Sequence, residues 1–312
     1  YLAYTISRSG SDWREIFVMD LSTGKLIKDH ILWAKFSGAD WKGNGFYYSA
    51  YDAPEEGKEY SNINENHKIY YHKLGTEQQE DILVYENKNY PKRFYSAWVD
   101  DDEKLLFVFE AGEGRGNNLF VQDLRKQNAP FRQLTTNFDY EYLPLEVIGE
   151  TVYFYTNYNA PKYRLMKTVI DKPGLEDWID VVPESDNVLK HASFIGGKMI
   201  LSYIKDASDH AYVYSLDGDM KHEVALPTFG SLGFSGNKED KEAFYQFTSF
   251  TFPNTIYKYD IDNNSSEIYL APDVKFNADD FVTEQIFYPG KDGTKIPMFI
   301  TYKKGLQRNG TN

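Results

Sequence analysis

The chain is a succession of short apolar runs separated by polar turns, and the runs recur in a fixed order. One phrase, an aromatic or aliphatic run closing on Asp or Leu before a turn, is found six times. It reads REIFVMDLSTG around Phe17, HKIYYHKLGT around Tyr70, NLFVQDLRK around Phe120, YRLMKTVID around Leu165, HAYVYSLDG around Val213 and NTIYKYDIDNN around Ile256. Successive copies are 53, 50, 45, 48 and 43 residues apart. A second phrase precedes each copy: YLAYTIS, GFYYSAYD, KLLFVFEAG, TVYFYTNYN, KMILSYIKD and EAFYQFTSF. These alternate or run apolar throughout, the patterns of half-buried and fully buried strands. Glycine-rich or acidic turns introduce several of them, such as Lys42 to Gly45 and Asp100 to Glu103, as hairpin loops do.

A unit of strand, turn, strand, loop, strand and outer strand, repeated every ~40–50 residues, predicts an all-β fold built as a β-propeller. A two-sheet sandwich has no reason to repeat one order six times. The first unit lacks an opening strand before Tyr1, so the repeat is expected to begin inside a blade. Helical signals amount to single turns at Leu175 to Trp178 and Lys238 to Lys241, too short for independent helices. The last stretch, IFYPGKDGTKIPMFITYKKG at 286–305, does not follow the repeat. Two apolar runs there flank Pro289 to Gly293, a turn sequence that predicts a β-hairpin, with Lys291, Lys295, Lys303 and Lys304 as solvated charges.

Composition agrees with the pattern. Of 312 residues 41% are apolar, and 26 Tyr and 21 Phe supply residues that suit pleated, half-buried surfaces. The 34 Lys and Arg against 47 Asp and Glu leave a formal charge of −13. That charge disfavours nucleic acid and anionic membrane surfaces as partners. No apolar run approaches the ~18 residues that span a bilayer, and a soluble protein, cytoplasmic or periplasmic, is expected. With no cysteine there is neither disulfide nor thiolate metal site.

Local chemistry is sparse. The nearest approach to a nucleophile elbow, Gly233-Phe234-Ser235-Gly236-Asn237, lacks the final glycine and reads as a turn. None of the six histidines has helical metal-ligand spacing. His67 and His72 fall in and beside one strand on opposite faces, which favours surface or strand-pairing roles. The acidic run Asp100 to Glu103 lacks the spaced ligands of a calcium loop and reads as a solvated turn. Gly112 to Gly116 has no following helix to hold a phosphate and reads as a flexible blade loop. Asn263, Asn264 and Asn309 begin N-glycosylation sequons. The residues alone describe a scaffold or recognition module without a visible active site, cofactor or metal.

Five segments nevertheless share a likeness: SGSDW (9–13), AKFSGADW (34–41), KIYYHKLGT with EDIL (68–83), EAFYQFTSF (242–250) and QIFYPGKDGTKIPMFI (285–300). Together they resemble the prolyl oligopeptidase family of serine peptidases, over essentially the whole chain. The resemblance implies a seven-bladed propeller and an α/β-hydrolase catalytic domain that cleaves short peptides after proline. It divides this chain into propeller at 1–280 and the opening strands of the hydrolase domain at 281–312. The Ser-Asp-His triad then lies beyond Asn312, and the chain alone is expected to be inactive. Phe36 matches a phenylalanine lining an apolar substrate subsite, and Phe94 matches a methionine of the same subsite. Asp12 and Trp13 match a pair at the interface with the catalytic domain. Implied partners are short proline-containing peptides and the missing hydrolase domain. Where the family can place an arginine and a cysteine, Glu110 and Glu113 stand here, and an acidic inner rim is expected from them. Alternatives are a stand-alone protein-binding propeller, or the propeller of a related dipeptidyl- or acylaminoacyl-peptidase.

Overall fold

The computed structural model describes every residue except Asn62, Glu113, Phe276, Arg308, Thr311 and Asn312. Glu113 and the Asn309 sequon's threonine therefore lie outside the described residues. The elements are almost all strands, arranged in consecutive antiparallel meanders.

The first meander has three strands, β1 (Leu2–Ser7), β2 (Arg14–Asp20) and β3 (Lys25–Ala34). The second has four: β4 (Asp40–Trp41), β5 (Gly45–Ala50), β6 (Lys68–Lys73) and β7 (Ile82–Glu86). One residue pair, Ala34 opposite Ala50, joins the two into a continuous sheet. A third meander comprises β8 (Phe94–Val99), β9 (Leu105–Ala111), β10 (Asn118–Asp123) and β11 (Arg132–Gln133). The fourth comprises β12 (Tyr142–Ile148), β13 (Thr151–Thr156), β14 (Arg164–Val169) and β15 (Ile179–Val182). The fifth runs from β16 (Val188–Ile195) through β17 (Lys198–Lys205) and β18 (Ser208–Ser215) to β19 (Met220–Glu223). The sixth runs from β20 (Ser231–Ser235) through β21 (Ala243–Thr248) and β22 (Thr255–Asp260) to β23 (Ser265–Leu270). A separate two-stranded sheet, β24 (Phe281–Pro289) with β25 (Lys295–Lys303), ends the chain.

All twelve repeated phrases are strands, the second and third of their meanders in every four-stranded case. The three-stranded first meander is the unit expected to lack its opening strand. Single 3₁₀ turns occur at Gln78–Glu80, Leu175–Asp177 and Ala278–Asp280, whereas 238–241 forms a hydrogen-bonded turn, Asp240 N–H donating to Asn237 O at 3.0 Å, and no helix. The Gly233-Phe234-Ser235 segment is strand rather than turn, with Phe234 in the core.

Residues divide into two compact units, 1–158 with 167–179, and 159–166 with 180–312. In the first unit β5 explains the continuous apolar phrases, since all six of its residues are buried. Its Phe46, Tyr48 and Ala50 pack with Ile16, Val18 and Ile31 of the first meander. Tyr47, on the other face, packs with Ile69, Tyr95, Leu106 and Val108. Strand alternation thus feeds two cores at once, so neither face is left polar. In the second unit one core gathers Ile200, Val213, Tyr245, Phe247 and Tyr259.

Two turns and two histidines differ from their sequence reading. Asp100 is buried, and its carboxylate accepts the N–H groups of Asp102, Lys104 and Leu105 at 3.2, 2.8 and 2.6 Å. It closes the β8–β9 turn instead of facing solvent. The loop 112–117 is fastened to its neighbour, because Gly116 N–H donates to Phe138 O at 2.9 Å and Asn117 N–H to Tyr140 O at 3.0 Å. A Cβ on Gly116 would lie 1.9 Å from Tyr140 O. Gly116→Ala is therefore expected to cost about 2–3 kcal/mol through overpacking against backbone. Urea unfolding checks this; an unchanged midpoint would mean that the loops separate freely. His67 and His72 are both fully buried, so neither is a surface residue.

Candidate functional site

Strands of a meander alternate in direction, so every second connection falls at the same end of the sheet. In the first unit this gathers the loops at 8–13, 35–39, 51–67, 87–93 and 112–117. Asp12 and Trp13 come from the first of these, Phe36 from the second, and Phe94 opens β8 directly after the fourth. All four expected residues are thus delivered to one face.

Phe36 and Phe94 meet, their ring centroids 5.2 Å apart at 37°. Phe36 is 49% exposed and its backbone sits at φ +52°, while nearby Trp33 sits at φ +61°. The left-handed region costs a non-glycine residue roughly 1–2 kcal/mol, and bulky aromatics there are uncommon. A core role would bury the ring. Here left-handed backbone holds it half in solvent.

Lys35 connects this pair to the other. Its ammonium lies 5.6 Å from the Phe36 ring centroid, 5.0 Å from that of Trp13, and 3.7 Å from the Asp12 carboxylate. Trp13 meets Trp33 and Tyr51 edge-on at 5.5 and 6.1 Å, and its indole N–H donates to Glu59 O at 2.7 Å. Asp12 is largely exposed, so its pairing with Lys35 is worth at most about 1 kcal/mol. It remains accessible to a cation from elsewhere.

Glu110 does not acidify the rim. It is buried, and its carboxylate accepts from Arg93 at 3.1 Å and from Asn118 at 2.9 Å, with the Tyr95 hydroxyl at 3.4 Å. The Arg93 guanidinium in turn lies 3.4 Å from the Tyr90 ring centroid and 4.8 Å from that of Phe138. Neutralised and enclosed, Glu110 braces the loop that leads into Phe94. The expectation failed because no local pattern shows that a residue seventeen positions away supplies the countercharge.

Sequence reasoning also missed His67. Its Nδ1 accepts Tyr95 N–H and its Nε2 lies against Lys35 O, both at 2.9 Å. Burial pushes its pKa down to about 4; the Lys35 carbonyl works against this and the Lys35 ammonium adds to it. The ring is therefore neutral at ordinary pH. A second buried histidine, His72, has Asp81 at 2.7 Å on Nδ1 and Asp29 at 3.0 Å on Nε2. Those carboxylates approach opposite ring nitrogens and do not converge on a point that an ion could occupy. Among the described residues no group of three or more His, Cys, Asp or Glu is arranged to hold a metal.

Consecutive four-stranded antiparallel meanders are the blade pattern of a β-propeller domain. Residues 1–272 match the family model described as the prolyl oligopeptidase N-terminal β-propeller domain. The chain belongs to the prolyl oligopeptidase family. It is 42% identical over its whole length to the prolyl endopeptidase of Elizabethkingia meningoseptica, of which it covers 44%. It is 29% identical to a dual function macrocyclase-peptidase of Amanita bisporigera, covering 46% of that protein. Among solved structures, a prolyl endopeptidase from a study of inter-domain dynamics superposes with TM-score 0.87 at 30% identity, over 98% of this chain and 44% of that one. Prolyl oligopeptidase B from Galerina marginata gives 0.86 at 28%, over 98% and 45%. The chain thus spans rather less than half the length of the relatives it matches.

Proposed function

We propose that this chain is the substrate-facing propeller of a serine peptidase that cleaves short peptides after proline, and that residues 281–312 open its catalytic domain. The observation that carries the reading is the half-exposed Phe36 ring on strained backbone, packed against Phe94. An apolar side chain on the amino side of the cleaved proline would rest on these rings. Asp12 and Trp13, on the same face, would meet the catalytic domain, with the exposed Asp12 carboxylate available to a cation there.

Support for the boundary comes from the hairpin. Among the described residues, strands β24 and β25 pair only with each other, after the family match has ended at residue 272. Gln285 reaches Asp206 O at 2.5 Å, and Phe299 packs at 5.6 and 5.5 Å from Phe229 and Phe250 within the second unit. Support for a peptide ligand comes from a relative: the Galerina enzyme has been solved with a 35-residue hydrolysis and macrocyclization substrate. Catalysis in such a protein is acyl transfer by a serine of the other domain, and this chain's residues orient the peptide and limit which peptides reach that serine. Among the described residues no helix is long and apolar enough to cross a membrane.

In the full polypeptide, Phe36→Ala is expected to raise KM for a tetrapeptide amide roughly tenfold, the size of ~1.4 kcal/mol of lost apolar contact. KM for a dipeptide amide, too short to reach the rings, should change less than about twofold by the same reasoning. Equal changes in both substrates would end the subsite reading.

A further inference from the structure

We propose that His67 is the positioning residue of the aromatic platform, pinning together the two backbone segments on which Phe36 and Phe94 are mounted. The proposal rests on the reading of those rings as a peptide subsite. Lys35 immediately precedes Phe36, and Tyr95 immediately follows Phe94. One imidazole spans them, accepting Tyr95 N–H at Nδ1 and meeting Lys35 O at Nε2, each at 2.9 Å.

The geometry determines the tautomer. A ring nitrogen that accepts a backbone N–H carries no proton, so the proton resides on Nε2 and is donated to Lys35 O. Either the imidazolium or the other tautomer would lose at least one of the two bonds. The pin is well enclosed. His67 is fully buried, with ring centroids of Tyr51, Tyr95 and Phe36 at 4.4, 6.4 and 6.4 Å. The ionisable groups packed about it are Lys35 from the β3–β4 connection, the Tyr51 ring after β5 and the Tyr95 ring on β8, whose hydroxyl donates to Glu110 of β9. On its own side the neighbouring Lys68 is paired with Asp52 at 2.5 Å. Among the described residues no carboxylate contacts the ring, and desolvation outweighs the Lys35 carbonyl and keeps it neutral.

Loss of the pin has a specific consequence. The buried Tyr95 N–H and the Lys35 O would lose this partner, and the loops at 35–39 and 87–93 could shift relative to each other. A displacement of about 1 Å in a positioning element is enough to weaken productive binding many-fold. The chemistry is in the other domain, so kcat for a substrate that does not reach the platform is unaffected.

The test uses the full polypeptide with a tetrapeptide amide and a dipeptide amide. His67→Leu removes both bonds, and KM for the tetrapeptide amide should rise by about tenfold with the dipeptide kcat retained. His67→Asn retains an acceptor for Tyr95 N–H, His67→Gln retains a donor for Lys35 O, and each should recover part of the loss. A uniform loss on both substrates, or no loss in any variant, overturns the proposal. Phe36→Ala is assayed alongside: if it acts and the His67 variants do not, the pin alone fails; if Phe36→Ala has no effect, the subsite reading fails with it. Should the leucine variant not fold, nitrogen NMR of the unsubstituted protein decides. A neutral ring protonated on Nε2 at pH 6 supports the pin, and the other tautomer or an imidazolium refutes it.

Discussion

Replacing His72 with leucine will lower the unfolding free energy by about 3–5 kcal/mol, the usual result of leaving buried charge without its partner. The ring and the carboxylates of Asp29 and Asp81 are almost entirely enclosed. Both nitrogens are engaged by carboxylate oxygens, at 2.7 Å for Asp81 and 3.0 Å for Asp29. Only an imidazolium can donate to both. Burial by itself pushes the His72 pKa down, but the hydrogen bonds to Asp81 and then Asp29 outweigh it, and the net direction is upward. Asp29 also accepts Gly75 N–H at 2.6 Å and Asp81 accepts the Tyr48 hydroxyl at 2.6 Å, so the cluster fastens β3 to β5, β6 and the turn at 78–80.

A pH dependence follows. Unfolded histidine titrates near ~6.5, so below that value folded and unfolded chains both hold the proton and the stabilisation is complete. Above it the unfolded chain releases a proton that the folded chain retains, and stability falls as pH rises through the folded value. His67 acts in the opposite sense. Its contribution is complete above ~6.5 and is lost as pH falls toward its folded value of about 4. Stability should therefore decline on both sides of neutrality, with the alkaline limb removed when His72 is replaced. Denaturant unfolding between pH 5 and pH 9 measures this. A flat alkaline limb in the unsubstituted protein, or a His72→Leu cost below about 1 kcal/mol, would contradict a buried imidazolium worth the magnitude expected.

Glu110→Ala is the second large effect, expected at about 3 kcal/mol. The substitution withdraws one carboxylate from the Arg93 guanidinium, the Asn118 amide and the Tyr95 hydroxyl together. Arg93 stays stacked between Tyr90 and Phe138, which makes the loss smaller than that of a fully isolated charge. Glu110→Gln preserves shape and can still accept from Asn118, so it should cost about half as much. The Arg93–Glu110 pair is enclosed on both sides, and the cost should be nearly independent of salt. Unfolding at low and high ionic strength separates the outcomes. A cost that vanishes in salt would place the pair in solvent.

These two clusters show where linear pattern stops informing. The strand phrases were legible because alternation and apolar runs are properties of a few consecutive residues, and burial on two sides leaves them visibly apolar, as in β5. The two-residue strands β4 and β11 carry no such signature, since so short an element has no period. Phe36 was reachable through its motif, AKFSGADW, but its exposure and left-handed backbone were not. Glu110 was misread because charge is written in the sequence and its compensation is not.

From the order of residues alone came the repeat, the all-β architecture, the family likeness and the four residues, Asp12, Trp13, Phe36 and Phe94, that the fold carries at one end of its strands. Each is encoded locally or in a contiguous motif. Tertiary structure decided the rest: that Lys35 joins the aromatic pair to Asp12 and Trp13, that His67 is neutral, and that two carboxylates raise the pKa of His72. The partners of His67 lie 32 and 28 residues away, and Asp29 lies 43 from His72. Hydrogen bonds across such separations depend on which strand ends the fold brings together, and the direction in which each ring's pKa moves follows from whether burial is opposed by carboxylates.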